Sequence, residues 1–538
     1  MFFKAKQTHN PIIDKRLRVA RETSADLALI DGKILTMNQH QPCAEAVAIK
    51  GDRILKVGTT EEISHLIGKD TKIIYLDWRT VVPGFIDTHI HVADFARFLM
   101  WMDLTGASSI KEMQRSLKER VQITPRGKWI VGRGWDEKRF VEKLLPTRFD
   151  LDAVSSDNPV IFYYACGPVC VVNSCALTLA GITKETSAPS GGTIDKDAET
   201  GEPSGILRET ATDLVWRLVP EPTNDELAEA TIIALEKVVD AGVTSIHWLA
   251  TSQTDLAILQ SLCKMKKLPL RVYMIIPSNL LERLGAGVDL DNEFAHIGGV
   301  EVSVDGYLAS DTAALFQPYA SDPSIKGKLL CTPAKLRASA SKIIKAGLQL
   351  IMHAMGDKAI AAALTTIEAS TKKGRVRIDQ AALLNEELIQ RIKQQGAVVS
   401  VQPLVAASEF SVYSAVEHLG EERARWLYPL KTLLKEGIQV CSGSDCPMEQ
   451  LNPLLGIQSV VTRQFFPEEQ VTVDEALRMY TLNAAYASSE ENIKGSIEQG
   501  KLADFTVLSS DPHAVAPSEI QKITVKMTVV GGKVVFPH

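Results

Sequence analysis

The sequence predicts an α/β protein, with a parallel-sheet body in the middle of the chain and a smaller β-rich domain assembled from both ends. Three observations predict it. From Pro83 onward, strand-like apolar runs alternate with helical stretches, the signature of parallel βα units. The two ends instead carry short strand-like runs separated by Asp-Gly, Gly-Asp and Gly-Gly turns. The chain has 538 residues, enough for a large core and two or more structural units. The boundaries are a flexible arm over 1–25, a discontinuous β domain over 26–82 plus 500–538, and the α/β body over 83–499.

Composition narrows the function classes. Hydrophobic residues make up 45% and charged residues 23%, an ordinary globular balance. A net charge of −6 argues against a nucleic-acid surface. No apolar run reaches the ~18–20 residues of a membrane span. The start, Met1-Phe2-Phe3-Lys4-Ala5-Lys6, lacks the apolar core of a secretory signal, and the basic residues up to Arg21 read as a solvated arm. The 8 cysteines are scattered without a Cys-x-x-Cys pair, so reduced thiols and a cytoplasmic location are expected. Cys166 and Cys170 have the spacing of half a zinc site, but no second half follows, and buried thiols are the expected role.

Taken in order, Leu27 to Ile30, Lys33 to Met37 and Ala44 to Lys50 read as strands, with Asp31-Gly32 and Gly51-Asp52 as hairpin turns. Val81-Val82-Pro83-Gly84 then turns the chain into a short buried strand, Phe85 to His91. Side chains alternate along a strand, so His89 and His91 point the same way, with Ile90 opposite. Two imidazoles so placed can bind one metal ion; a chance or structural pair is the alternative. Residues from Asp103 to Pro220 form a stretch too long for a simple crossover. Further strands are expected at Gly242 to His247, Leu270 to Met274, Gly299 to Val304, Gln349 to Met352 and Ala397 to Val401. The C-terminal strands are Ala503 to Leu508, Val525 to Val530 and Lys533 to Phe536.

The phrase from Val81 to His91 resembles the opening strand of the amidohydrolase superfamily, whose members are metal-dependent hydrolases on a TIM-type (β/α)8 barrel. From about Asp26 onward the chain resembles one branch, amidohydrolase family 3, which includes N-substituted formamide deformylase. Gly500-Lys501-Leu502-Ala503-Asp504 is similar to that branch's re-entry phrase into a small β-sandwich built from both termini. The resemblance thus implies a barrel, a β-sandwich, and an insertion at about 103–220 over the barrel mouth. Within it, Gly132-Arg133-Gly134-Trp135-Asp136 matches a family phrase and makes Arg133 and Trp135 substrate-binding candidates. Packing inside the insertion is the alternative for both.

The resemblance also supplies the rest of a metal site. His353-Ala354-Met355-Gly356-Asp357 matches the phrase ending barrel strand five and implies that His353 is a ligand. Gly443-Ser444-Asp445-Cys446-Pro447 matches the phrase ending strand eight and implies that Asp445 is both ligand and general base. A carboxylate beside a metal-activated water can take its proton and return it to the leaving group. A turn or helix cap is the alternative role for Asp445.

Three positions depart from the family pattern. Glu301 stands where family members carry a carboxylated lysine that bridges two metals. Gln380 replaces the strand-six histidine, and glutamine is a poor zinc ligand beside imidazole. Pro168 replaces a histidine that faces substrate. What survives implies one divalent ion held by His89, His91, His353 and Asp445. Zinc is the first choice, with iron, manganese or nickel as alternatives. Glu301 then serves as an acid or a further ligand, and Gln380 as a substrate hydrogen-bonding group.

The function this implies is hydrolysis of a C–N bond, an amide or a cyclic amidine, in a small molecule. The alternatives are the same barrel used as a metal-dependent lyase or isomerase, or as a non-catalytic binding protein. A small-molecule substrate and a homodimer are the expected partners; nucleic acid and membrane are not.

Overall fold

The computed structural model describes residues 24–165, 169–284, 290, 292–370 and 375–537. Most of the expected arm, and Cys166, Gly167 and Pro168, lie outside the described residues. Two compact units result. One joins the chain up to Ala93 to the chain from Ala234 onward; the other is Asp94–Ile233.

The first unit is built on eight parallel strands whose order in the sheet follows the chain. They are β1 (Phe85–Ile90), β2 (Val243–Leu249), β3 (Arg271–Pro277), β4 (Ala295–Ser303), β5 (Gln349–Ala354), β6 (Arg377–Gln380), β7 (Val398–Val401) and β8 (Val440–Ser442). β1, β2 and β5 to β8 are buried at nearly every residue, as expected when both faces of a parallel sheet are covered. The barrel closes just beyond the ends of β8 and β1. There the Asp445 N–H donates to His89 O at 2.8 Å and the His91 N–H to Cys446 O at 2.9 Å. Helices between the strands follow ordinary end rules. Helix Glu386–Gln395, for example, starts at Asn385, whose side chain accepts from the Leu388 N–H, and stops at Gly396 in the left-handed conformation.

The same unit contains two further sheets that face each other across a common core. One holds Leu27–Ile30, Ala46–Lys50, Arg53–Gly58 and Lys72–Tyr75. The other interleaves Lys33–Leu35, Cys43–Ala44 and Thr80–Pro83 with the C-terminal strands Phe505–Leu508, Val525–Val530 and Lys533–Phe536. Leu29, Val47 and Ile49 pack there against Val81, Phe505 and Val529. The Gly51-Asp52 and Gly531-Gly532 turns close hairpins as expected.

Asp31-Gly32 does not close a hairpin. The strands on either side of it lie in different sheets, so the turn carries the chain from one sheet to the other. Leu27–Ile30 pairs with Ala46–Lys50 and Lys72–Tyr75, whereas Lys33–Leu35 pairs with Cys43–Ala44 and Thr80–Pro83; the glycine at 32 is needed because an added Cβ there would lie 2.8 Å from Leu76 Cβ. The Ala503-Asp504 phrase also has a physical role. The Asp504 carboxylate accepts from Arg271 Nε at 2.8 Å and from the Gly531 N–H at 2.7 Å, tying the start of β3 to the terminal strands.

The second unit is a six-stranded mixed sheet. Its order is Gly192–Lys196, Pro203–Glu209, Val169–Val172, Val160–Tyr164, Ile130–Trp135 and Met102–Asp103. Among the described residues no helix is long and apolar enough to cross a membrane.

Candidate metal centre

The predicted ligands come from separate strands but gather at one end of the barrel, where the strands finish, as in other barrels of this architecture. β1 delivers His89, with His91 one residue past its end; β5 delivers His353, β4 Glu301, and the turn after β8 Asp445. That turn is held tightly. Asp445 adopts φ 60°, a left-handed conformation that aspartate tolerates better than most residues. Asp87 Oδ1 accepts from the N–H groups of both Ser444 and His89, at 2.9 and 3.1 Å. A side chain at Gly443 would place its Cβ 2.6 Å from His89 Cβ, so the Gly-Ser-Asp phrase needs its glycine for space.

The carboxylate reached in this way sits between two imidazoles. Asp445 Oδ1 lies 3.5 Å from His89 Nε2 and 3.3 Å from His91 Nε2. His89, Glu301 and Asp379 form an overlapping group, the donor atoms of each trio lying within 4.8 Å of one another. His353 Nε2 and Glu301 Oε1 are buried with no hydrogen-bond partner among the described residues.

His89 is oriented from behind. Its Nδ1 lies 2.9 Å from Asp379 Oδ2, which leaves Nε2 directed to the centre. Asp379 is in turn gripped by the Arg377 guanidinium through both carboxylate oxygens. Arg377 also donates to Thr88 O at 2.6 Å and to His247 Nδ1 at 2.8 Å. Arg377 and Asp379 are both fully buried. A carboxylate behind a metal-binding imidazole fixes its tautomer and raises its basicity.

Titration behaviour follows from this crowding. Burial disfavours the charged form of His89, but the Asp379 hydrogen bond and the charges of Asp445, Asp379 and Glu301 outweigh it and raise the imidazole to about 9. Burial pushes the Asp445 carboxyl up; the His91 hydrogen bond and the charges of His89, His91 and His353 more than reverse this and hold it low. Asp87 is raised by burial. Around His89 the carboxylates thus draw in a positive charge, which a divalent ion would supply in place of a proton. With three imidazoles, a carboxylate and two partnerless buried donor atoms, the residues present fit such an ion.

Gln380 ends β6 at φ 67°, buried, with its Oε1 accepting from the Tyr428 hydroxyl at 3.4 Å. Arg133 and Trp135 lie in the other unit. Trp135 is fully buried in its core, and its indole N–H is spent on Phe162 O at 2.9 Å, so the packing alternative describes it. The Arg133 guanidinium stacks 4.2 Å above the Phe98 ring.

Four further buried residues were not picked out as sites from the sequence. Asp379 and Arg377 lie two apart on one strand, a spacing that puts them on one face. Tyr428 had no local signal. Gln402, immediately after β7, has both amide atoms buried without a partner among the described residues; its position past a strand end was its only sequence cue.

Fold and site together define a metal-dependent hydrolase on a (β/α)8 barrel. The chain belongs to the Amidohydrolase family, which matches residues 72–536. It is 32% identical over 522 residues to YtcJ of Bacillus subtilis strain 168, which carries the amidohydrolase name, covering 94% of this chain and 98% of that one. It is 28% identical over 532 residues to the N-substituted formamide deformylase of Arthrobacter pascens, covering 94% and 97%. Among solved structures, an uncharacterized metal-dependent hydrolase from Pyrococcus furiosus superposes with a TM-score of 0.75 at 30% identity, covering 90% of this chain and 99% of that one.

Proposed function

We propose that the protein hydrolyses a C–N bond, an amide or a cyclic amidine, of a small molecule at a single divalent-metal centre held by His89, His91, His353 and Asp445. The observation that carries this is the convergence of His89 Nε2 and His91 Nε2 on Asp445 Oδ1, beside the partnerless His353 Nε2. The name of the Arthrobacter pascens relative supports C–N chemistry.

A divalent ion bound there supplies Lewis acidity to the scissile group and acidifies a water. The chain's own residues do the rest. Arg377 and Asp379 hold the His89 ring in register. Asp445, fixed by Asp87 and the barrel closure, takes the proton of the attacking water on its carboxylate and returns it to the leaving nitrogen. Glu301 is a further ligand or an acid. Gln380, its oxygen set by Tyr428, presents its amide N–H groups to the substrate.

Two facts favour one ion over two. Asp379 is already committed to Arg377 and His89, and an amide stands at Gln380 where a second centre would need an imidazole. Zinc suits three imidazoles and one carboxylate, with iron, manganese and nickel as its rivals. A cytoplasmic homodimer acting on a small molecule completes the reading.

Elemental analysis of wild type and His89→Ala, beside an amide and cyclic-amidine hydrolysis screen on wild type and Asp445→Asn, tests it. About one ion per chain, lost in His89→Ala, with turnover abolished in Asp445→Asn, is the expected result. No bound metal after purification with metals supplied refutes it.

A further inference from the structure

Away from the metal centre, helix Pro403–Ser411 borders a half-open pocket of about 320 Å3 with Leu430 and the segment from Ser459 to Phe465. That is about twice the ~150 Å3 that holds one benzene ring. Phe410 and Phe465 stack at its side, with ring centres 5.2 Å apart and planes 12° from parallel. Phe465 is 41% exposed at the rim.

Among the described residues, the only charged one lining the cavity is Arg463. Its guanidinium donates to three backbone carbonyls: Tyr428 O at 2.6 Å, Leu427 O at 2.8 Å and Phe465 O at 2.7 Å. Among the described residues it has no carboxylate partner. The nearby acids are engaged elsewhere, Glu469 with Thr432 and Glu468 with Arg425. Burial lowers the guanidinium to about 10, against the opposing charges of Glu469 and Glu468. A guanidinium has five N–H donors, and three are used here. A largely apolar pocket is therefore lined by a half-buried cation that lies 5.2 Å from the centre of the Phe410 ring, donates to backbone carbonyls, and has no anion to balance it among the described residues. A buried charge is costly until it is paired, and a planar carboxylate is the group a guanidinium pairs with best.

We propose that this cavity is a second binding site, separate from the metal centre, for a small apolar monocarboxylate. The carboxylate lies on Arg463 and the apolar body against Phe410, Phe465 and Ala406. Its occupancy has a route to the metal centre. Arg463 holds the Tyr428 carbonyl, Tyr428 is kept at φ 47°, and the Tyr428 hydroxyl reaches Gln380. Aryl acids and medium-chain alkanoates share the required chemistry.

The test is calorimetric titration of the metal-loaded full chain with phenylacetate, hexanoate and the neutral phenylacetamide. One carboxylate should bind per chain at least about tenfold more tightly than the amide. Phenylacetate alone marks an aryl acid as the occupant; hexanoate alone marks an alkanoate. Ala407→Trp, placed on the exposed side of the helix where it lines the cavity, should abolish binding without altering metal content or unliganded Tm. Arg463→Gln should make acid and amide bind alike. His91→Ala should leave binding intact, which separates this site from carboxylate ligation at the metal. Binding that survives Ala407→Trp, disappears in His91→Ala, or is absent for both acids up to about 10 mM overturns the proposal.

Discussion

Glu409 offers a direct test of the electrostatics near the site. It lies on the helix that follows β7 and is 3% exposed. No hydrogen-bond donor or ion-pair partner reaches it among the described residues; His418, the nearest opposing group, is engaged with Asp311 at 2.9 Å. Burial raises its carboxyl from 4.5 to about 7, with His418 opposing. Because the folded value is above the unfolded one, the carboxyl costs nothing at low pH. The cost grows as pH rises through the unfolded value and is complete above the folded value. The full span is about 3 kcal/mol, and about 2 kcal/mol of it accrues between about pH 5.5 and pH 8. Glu409→Gln removes the ionisation but keeps the shape. The variant should therefore gain about 2 kcal/mol on wild type between those two pH values. For a chain of 538 residues this is a Tm difference of about 2 °C, readable by scanning fluorimetry of both proteins in matched metal-containing buffers. A Tm difference that is constant with pH, or that favours wild type at high pH, would refute the reasoning.

Other perturbations probe the centre itself. Asp379→Asn should weaken metal binding about 10- to 100-fold in chelator competition, since it removes the carboxylate behind His89. It should also destabilise the fold by about 3–5 kcal/mol by leaving Arg377 buried and unpaired. Combining Arg377→Met with Asp379→Leu should recover most of that stability in urea unfolding and none of the metal affinity. Gly443→Ala should lose the metal and lower Tm by about 2 °C or more, because its Cβ collides with His89. Gly106→Ala, with nothing within 4 Å of its added Cβ, serves as the unchanged control.

Much of this architecture was legible because its signals are local. The strand that carries His89 and ends just before His91 announces itself by a Pro-Gly entry and an apolar run, and His353 and Asp445 sit in short phrases at or just past strand ends. β6 and β8 have only 4 and 3 residues, too few to show a period, and were placed by their phrases alone. The Asp31-Gly32 turn misled because turn chemistry specifies a reversal, not the sheet in which the next strand pairs. Trp135 illustrates the same limit, since an aromatic beside glycines reads alike whether it packs or binds. The contacts that orient His89 span 290 residues to Asp379, and those that hold Tyr428 come from Arg463, 35 residues on. Such pairings are set by the fold and leave no mark in local sequence.

The Arg377–Asp379 pair shows why the centre is built this way. An ion pair sealed inside a barrel is a poor source of stability, because removing two charges from water costs about as much as their attraction returns. An apolar pair of similar volume would fill the same space. What an apolar pair cannot do is accept from His89 Nδ1 while holding Thr88 O and His247 Nδ1 through one rigid guanidinium. That arrangement fixes the ring plane and tautomer of a residue on β1 from two residues on β6, and it links β2 into the same network. Burial then serves the chemistry, since a dry network cannot exchange partners with solvent and His89 Nε2 keeps its direction whatever occupies the pocket.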